Sequence, residues 1–183
     1  QCWSDVFGNF YAAGDEIILD EWASIILFRM DVPDANLALN GSGEHHIVEN
    51  TLWTDNMNVD GSVVVNDGFT LTIDGAHIGF AASTPSLTTN ITVQPGGTLV
   101  LKNGATLRNW MGCGSAPEMW DGVKVLGNSS TTGAGLVRME SGARITDAYV
   151  AVLCAETDPF LPQANDVNGT GGIVQAENAQ FIN

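Results

Sequence analysis

Short stretches in which apolar and polar residues alternate recur along this chain, separated by turns. They are too short for helices and have no period of 3.6 residues. The stretch GTLVLKNGATLRN at 97–109 is typical, with alternation on both sides of Asn103-Gly104. Taken alone, this stretch predicts a β-hairpin closed by an Asn-Gly turn.

Three relatives of this stretch change that interpretation. Each unit has two apolar residues two positions apart, then a turn, then Ala, one polar residue and one large apolar residue. The units are 69–78, 97–107, 135–145 and 172–182, with apolar pairs Leu71/Ile73, Leu99/Leu101, Val137/Met139 and Val174/Ala176. Upstream strands are predicted at Val63/Val65, Ile91/Val93, Val123/Val125 and Ala151/Leu153.

Recurrence of the same residue types at the same place predicts a parallel β-solenoid, because stacked coils put equivalent residues in columns. The predicted fold is all-β: a right-handed parallel β-helix with three sides and about four coils over 51–183. Asn103-Gly104 is then a corner, and its flanking strands pair in parallel with the neighbouring repeats.

The two ends of the chain are expected to differ. Residues 1–50 do not fit the repeat, and the segment 15–32 has two dense apolar runs flanked by acidic residues. We expect an irregular N-terminal cap there, built from short strands or a short amphipathic helix. The sequence stops on a strand of the last coil, so the solenoid is expected to be truncated at that end. The remainder of a longer chain or a neighbouring subunit would cover it.

The charge of the chain narrows the class of partner. Its 183 residues include 6 Lys+Arg against 21 Asp+Glu, a net charge of −15. Nucleic acid and anionic membranes are poor partners, because phosphate binding needs clustered basic residues. No apolar run is long enough to predict membrane insertion. Abundant Gly, Asn, Thr and Ser suit an extracellular all-β protein.

Three cysteines predict one disulfide and one leftover thiol in an oxidising compartment. They are Cys2, Cys113 and Cys154. Cys113 and Cys154 both lie in predicted loops that leave consecutive coils, so we predict a bridge between them. Cys2 would stay free or pair outside this segment.

The candidate ligand-binding residues each have a structural alternative. Packing at a hydrophobic edge is the favoured interpretation of Trp120, and a platform for sugar rings formed with Trp110 is the alternative. Asp121 and Asp147 could meet across adjacent coils as the two carboxylates of a glycoside hydrolase. No nucleophile–base arrangement or phosphate-binding loop is evident, so no catalytic residue is predicted.

Cofactor binding is not expected, with calcium as the one candidate. Asp74, Lys102, Glu140 and Glu177 fall near one predicted column beside the turns. A ladder of surface charges is the simpler interpretation, and a cation between Glu140 and Glu177 is the alternative. His45-His46, placed before the first predicted coil, has no metal-ligand partner at the usual spacing. The outward column of His77, Thr106, Arg144 and Gln180 is interpreted as a solvated face.

Three stretches together resemble a known group of proteins. They are WTDNMNVDGSVVVNDGFTLTIDGAHIGF, ITVQPGGTLVLKNGATL and CGSAPEMWDGVKVLGNSS, which begin at 53, 91 and 113. The chain resembles, over roughly 50–183, the parallel β-helix repeat region of large secreted surface proteins of Bacteroidetes-type bacteria, exported by the type IX secretion route. The resemblance implies an extracellular or cell-surface location and an adhesive, structural or glycan-related role.

From the repeats and the resemblance we expect a non-catalytic extracellular scaffold or adhesin-like segment of a larger bacterial surface protein. Glycans or other surface proteins are its expected partners. One alternative is a protein that binds or degrades polysaccharides. The other is a subunit of a self-assembling extracellular filament.

Overall fold

A computed structural model describes most of the repeat region and a few short pieces before it. The described residues are 43–84, 88–109, 119–127, 133–154 and 171–182, with the pieces 2–4, 10–12, 16–18, 25 and 28–30. All structural statements below refer to these residues.

The short N-terminal pieces contain three strands. They are β1 (Cys2–Ser4), β2 (Phe10–Ala12) and β3 (Phe28–Met30), which form an antiparallel sheet in the order β2-β1-β3. Strands were one of the two structures expected for this region. Its role as a cap stays a prediction.

Fifteen further strands follow in a repeating order of three, and each set of three makes one coil. The first coil has β4 (Glu44–Ile47), β5 (Thr51–Trp53) and β6 (Met57–Val59), and the second has β7 (Ser62–Val65), β8 (Thr70–Asp74) and β9 (His77–Phe80). The third has β10 (Asn90–Val93), β11 (Thr98–Lys102) and β12 (Thr106–Asn109). The fourth has β13 (Trp120–Val125), β14 (Leu136–Met139) and β15 (Arg144–Thr146), and the fifth has β16 (Ala148–Leu153), β17 (Ile173–Ala176) and β18 (Gln180–Ile182).

Equivalent strands of successive coils pair in parallel and build three sheets of five strands each. Sheet I contains β4, β7, β10, β13 and β16; sheet II contains β5, β8, β11, β14 and β17; sheet III contains β6, β9, β12, β15 and β18. The architecture is a three-sided parallel β-helix, which confirms the predicted all-β fold class.

The stretch around Asn103-Gly104 forms a corner rather than a hairpin. Its first strand, β11, pairs in parallel with β8 and β14, which places Leu99 between Leu71 and Val137. Its second strand, β12, belongs to another sheet and pairs with β9 and β15. Asn103 and Gly104 both have positive φ, 54° and 79°, which turns the chain from one sheet to the next.

The core is a set of aliphatic columns that run through the coils. The predicted register of the inner pairs is confirmed in sheet II, from Leu71/Ile73 through to Val174/Ala176. The alanines after the corners are buried in the second, third and fourth coils. They are Ala76, Ala105 and Ala143.

The described residues contain five coils, whereas the repeats predicted about four. The additional coil, 44–59, comes first and lies partly in the segment predicted as a cap. It lacks the Gly-Ala corner, and three of its inner positions hold an imidazole, a hydroxyl and an indole instead of aliphatic groups. These are His45, Thr51 and Trp53, opposite Val63, Leu71 and Ile73.

One predicted column is out of register by a residue. Ala151 and Leu153 were aligned with Val123 and Val125, but Val123 pairs with Val152 and Lys124 with Leu153. The pairing shifts at a β-bulge between Gly122 and Val123. A bulge inserts one unpaired residue, and the alternation of the sequence gives no sign of it.

The two ends of the core differ in their exposure. In the first coil the inward-facing Ile47, Trp53 and Val59 are 2%, 8% and 0% exposed. In the fifth coil the inward-facing Val174 and Phe181, in the columns of the half-buried Thr51 and Met57, are 36% and 48% exposed. The core is therefore more exposed at the fifth coil than at the first.

Leu101→Ala is expected to lower the free energy of unfolding by about 2–5 kcal/mol, because a buried leucine is removed and a cavity remains. Leu101 is fully buried between Ile73 and Met139 of the neighbouring coils. Val100→Ala, on the outer face of the same strand, is the matched control and should cost about 1 kcal/mol at most. Urea unfolding followed by circular dichroism measures both. An equal loss of unfolding free energy in the two variants would contradict the inner position of Leu101.

Candidate functional site

The corner between sheets II and III carries the predicted column of charged residues. Lys102 pairs with Asp74 in the register of β11 and β8. The amide of Glu140 donates to the carbonyl of Leu101, and the amide of Glu177 donates to that of Met139, which extends the column through the last two coils. The four residues predicted to share this column therefore do so.

Asp74 is the most constrained member of the column. Its Oδ1 accepts a hydrogen bond from Asn103 Nδ2 at 2.6 Å, and its Oδ2 lies 3.2 Å from Lys102 Nζ. The Asn103 hydrogen bond, followed by the interactions with Lys102, holds the pKa of Asp74 below its ordinary value. Since both side chains are partly exposed, this ion pair adds little stability.

A groove of about 800 Å³ lies along the same corner at the fourth and fifth coils. Polar side chains dominate its rim, and inner-column residues of the last coils form its floor. The rim includes Asn103, Arg138, Glu140, Gln175 and Glu177. Within the described residues, this groove brings candidate residues together on an exposed surface.

The groove supplies two carboxylates for a cation. Calcium takes six to eight oxygen ligands, so Glu140 and Glu177 would need several waters or ligand oxygens to complete a site. No group of three or more His, Cys, Asp or Glu placed to hold a metal ion is found within the described residues. Calcium at this pair stays an untested hypothesis.

Trp120 is a core residue of the fourth coil. Its side chain is fully buried, its ring stacks on Phe80 with centroids 4.4 Å apart, and its Nε1 donates to the carbonyl oxygen of Thr146 at 2.9 Å. Packing therefore accounts for Trp120, since a sugar platform needs an open ring face. Trp110, the other half of the predicted platform, lies outside the described residues.

Asp121 and Asp147 lie on neighbouring coils close to one another along the strand direction. Trp120 pairs with Ala148, so Asp147 is one residue before that partner and two positions from Asp121. Asp147 has a φ of 56°, and its Oδ2 accepts a hydrogen bond from the Thr146 hydroxyl at 2.7 Å. The Asp147 carboxylate is thus engaged locally, and Asp121 is half-buried at the edge of the bulge.

A loop between β9 and β10 fixes the start of β13, and no sequence motif indicated this. The Thr89 hydroxyl donates to the Ala81 carbonyl at 2.6 Å, and the Thr89 carbonyl accepts from the Asp121 amide at 2.9 Å. The Ser62 hydroxyl donates to the Thr88 carbonyl at 2.9 Å. These contacts pin the loop to the outer face of sheet I and hold Asp121 in place.

Within the described residues, His45, His46 and Cys154 do not form a common site. His45-His46 lies within β4, and not before the first coil as predicted. His46 Nδ1 lies 3.1 Å from Asn66 Oδ1 and its Nε2 lies 3.3 Å from Glu44 Oε2, while the His45 ring lies near Trp53. Cys154 is exposed and forms no disulfide within the described residues, and desolvation of its partly covered thiol raises the pKa of that group. Cys113 lies outside the described residues, so the bridge between them stays a prediction.

Comparison of the chain with protein-family models, curated proteins and solved structures gave no match. The resemblance to secreted surface proteins therefore depends on the quoted residues alone. Within the described residues, no helix is long and apolar enough to cross a membrane.

Gly122→Ala is expected to destabilise the protein far more than Gly104→Ala. Both glycines have positive φ, 89° and 79°, which costs a residue with a Cβ about 1–2 kcal/mol. A Cβ on Gly122 would in addition overlap the carbonyl oxygen of Val150, whereas a Cβ on Gly104 would meet nothing within 4 Å. Thermal and urea unfolding of the two variants compare them. A similar loss for both would contradict the close approach at the bulge.

Asn103→Ala should raise the pKa of Asp74 more than Lys102→Gln does, because the amide hydrogen bond is the larger of the two causes. A carboxyl-detected NMR titration measures this pKa. Because the folded pKa is lowered, the contribution of Asp74 to stability is present above its ordinary pKa and is lost as the pH falls through the folded value. A larger effect of Lys102→Gln would show that the ion pair dominates.

Proposed function

We propose that this chain is a non-catalytic scaffold or adhesin-like segment of a larger extracellular protein on a bacterial surface. The observation that carries the proposal is the continuous register of the coils. Inner columns pass through five coils, and each interior coil is sealed on both sides by its neighbours. Such a stack is a rigid body whose outer faces are free to vary, which suits a spacer or a display surface.

The location and the bacterial source rest on the sequence. The type IX secretion route and the surface location come from the resemblance of 50–183 to secreted β-helix repeat proteins. The net charge of −15 is compatible with a soluble surface that resists association through repulsion.

The open end of the core supports the proposal that another layer of structure covers the fifth coil. Val174, Phe181 and Ile182 are exposed there by 36%, 48% and 47%. β17 and β18 each pair with one strand within the described residues, so their other edges can accept a further coil. A further coil of the same protein would bury the apolar side chains and satisfy the free strand edges together.

A role in polysaccharide binding or degradation is the second candidate. The polar groove with Arg138, Glu140 and Glu177 favours it, since carboxylates and a guanidinium on one rim can bind sugar hydroxyls. For degradation, two carboxylates must face one another across a substrate, and Asp121 with Asp147 is the pair to test.

A self-assembling filament has less support. Stacking the fifth coil of one copy on the first coil of the next would bury Val174 and Phe181. The first coil does not offer an equally open face, because Ile47 and Trp53 are already buried. A filament would need that end to rearrange.

The experiment tests two properties of the chain, enzymatic activity on polysaccharides and location on the cell surface. The purified chain is incubated with a panel of neutral and acidic polysaccharides, and new reducing ends and unsaturated products are measured. Antibodies raised against the chain are applied to intact, non-permeabilised cells of the organism that carries it. We expect no product and clear labelling of the cells.

Two results would overturn the scaffold proposal. One is turnover that Asp121→Asn or Asp147→Asn abolishes while the fold is retained, which would establish an enzyme. The other is labelling only after permeabilisation. Light scattering at rising protein concentration tests the filament hypothesis. If filaments form, the particle size should grow with concentration, and Phe181→Glu should prevent that growth.

A further inference from the structure

The outer face of sheet III is basic in a strongly acidic chain. Its strands contain Arg108, Arg144 and His77 and no aspartate or glutamate. The chain as a whole has 21 Asp+Glu against 6 Lys+Arg. The three basic side chains are exposed. The residues beside them on the same strands are fully buried: Ile78, Leu107 and Ile145.

The two arginines are close enough to act on one ligand. Thr106 of β12 lies opposite Arg144 of β15, and Arg108 is two residues farther along β12 on the same face. Strands about 4.8 Å apart with a rise of about 3.3 Å per residue put their Cα atoms roughly 8 Å apart. The long side chains can therefore bring both guanidinium groups to a single ligand chain that crosses the coils.

The charges of these arginines are not neutralised within the described residues. Neither Arg108 nor Arg144 forms an ion pair or a side-chain hydrogen bond there. In contrast, Lys102 lies against Asp74, and Arg138 lies 3.5 Å from the Gln175 side chain. Sheet III therefore presents free positive charge, and an external anion would be its complement.

The geometry of the guanidinium group restricts the chemical class of the ligand. Two parallel N–H groups match a carboxylate bidentately, so a chain with repeated carboxylates can engage both arginines. The side chain of Gln180, in the column of Arg144, can donate to sugar hydroxyls. A polyuronate carries one charge on each sugar, so a chain of net charge −15 repels it less strongly than it repels a densely charged polyphosphate. We propose that the outer face of sheet III binds an acidic polysaccharide of uronic-acid type, with Arg108 and Arg144 as the anchoring residues.

This binding goes beyond the scaffold role and does not depend on it. The test uses the purified chain with polygalacturonate, and calorimetry or biolayer interferometry as the readout. The same polymer with methyl-esterified carboxyls is the ligand control, since its backbone is retained and its charge is removed. Lys124→Gln is the protein control, because Lys124 lies on β13 of sheet I and its replacement removes one positive charge from a different sheet.

Polygalacturonate is expected to bind, and the esterified polymer to bind at least about tenfold more weakly, a difference of about 1.4 kcal/mol. Arg108→Gln/Arg144→Gln should weaken binding by a similar factor, and Lys124→Gln should have little effect. Raising the salt from about 0.1 M to 1 M should weaken binding, as the Debye length shortens from about 10 Å to 3 Å. Circular dichroism and the melting temperature check that each variant is folded.

Any of four results would overturn the proposal. They are the absence of polygalacturonate binding at low salt, equal binding of the esterified polymer, an equal loss in Lys124→Gln, and tighter binding of single-stranded DNA of matched length. The last result would assign the face to nucleic acid instead.

Discussion

The structure depends on one constraint, the parallel register between successive coils. A coil of this protein cannot bury its own apolar side chains, because its three strands enclose only a thin slice of core. Burial comes from stacking, which places Leu99 and Leu101 against the equivalent residues of the coils on either side. Every interior coil thus depends on two neighbours, and an end coil depends on whatever covers its outer side.

This constraint explains why the ends of the stack differ. The first coil replaces aliphatic inner residues by larger or polar ones, and its Ile47 and Trp53 are nevertheless buried. The fifth coil keeps apolar residues, and Val174 and Phe181 are partly exposed. The exposure marks a surface on which burial of apolar area would stabilise any layer that continues the register.

The outer faces are not bound by the same constraint, so chemistry can vary there without cost to the core. The corner column holds Asp74, Lys102, Glu140 and Glu177, and its first two members form an ion pair. Sheet III instead holds two arginines that have no ion-pair partner within the described part of the chain. Trp120, which has the chemistry of a sugar platform, is used as a packing residue against Phe80. The chemistry of a side chain thus suggested a role, and its position inside or outside the stack of coils decided whether it can have that role.

The sequence by itself determined the fold class, the corner at Asn103-Gly104 and the inner columns, because repeated residues must stack in register to be buried. It did not reveal the first coil, whose inner His45 and Trp53 break the aliphatic pattern, or the bulge at Gly122, which adds an unpaired residue. The sequence also did not show which outer side chains lie close together. Their proximity depends on the register between neighbouring coils, and loops of variable length separate those coils in the sequence. Only the tertiary structure brought Arg108 beside Arg144 and put Trp120 into the core.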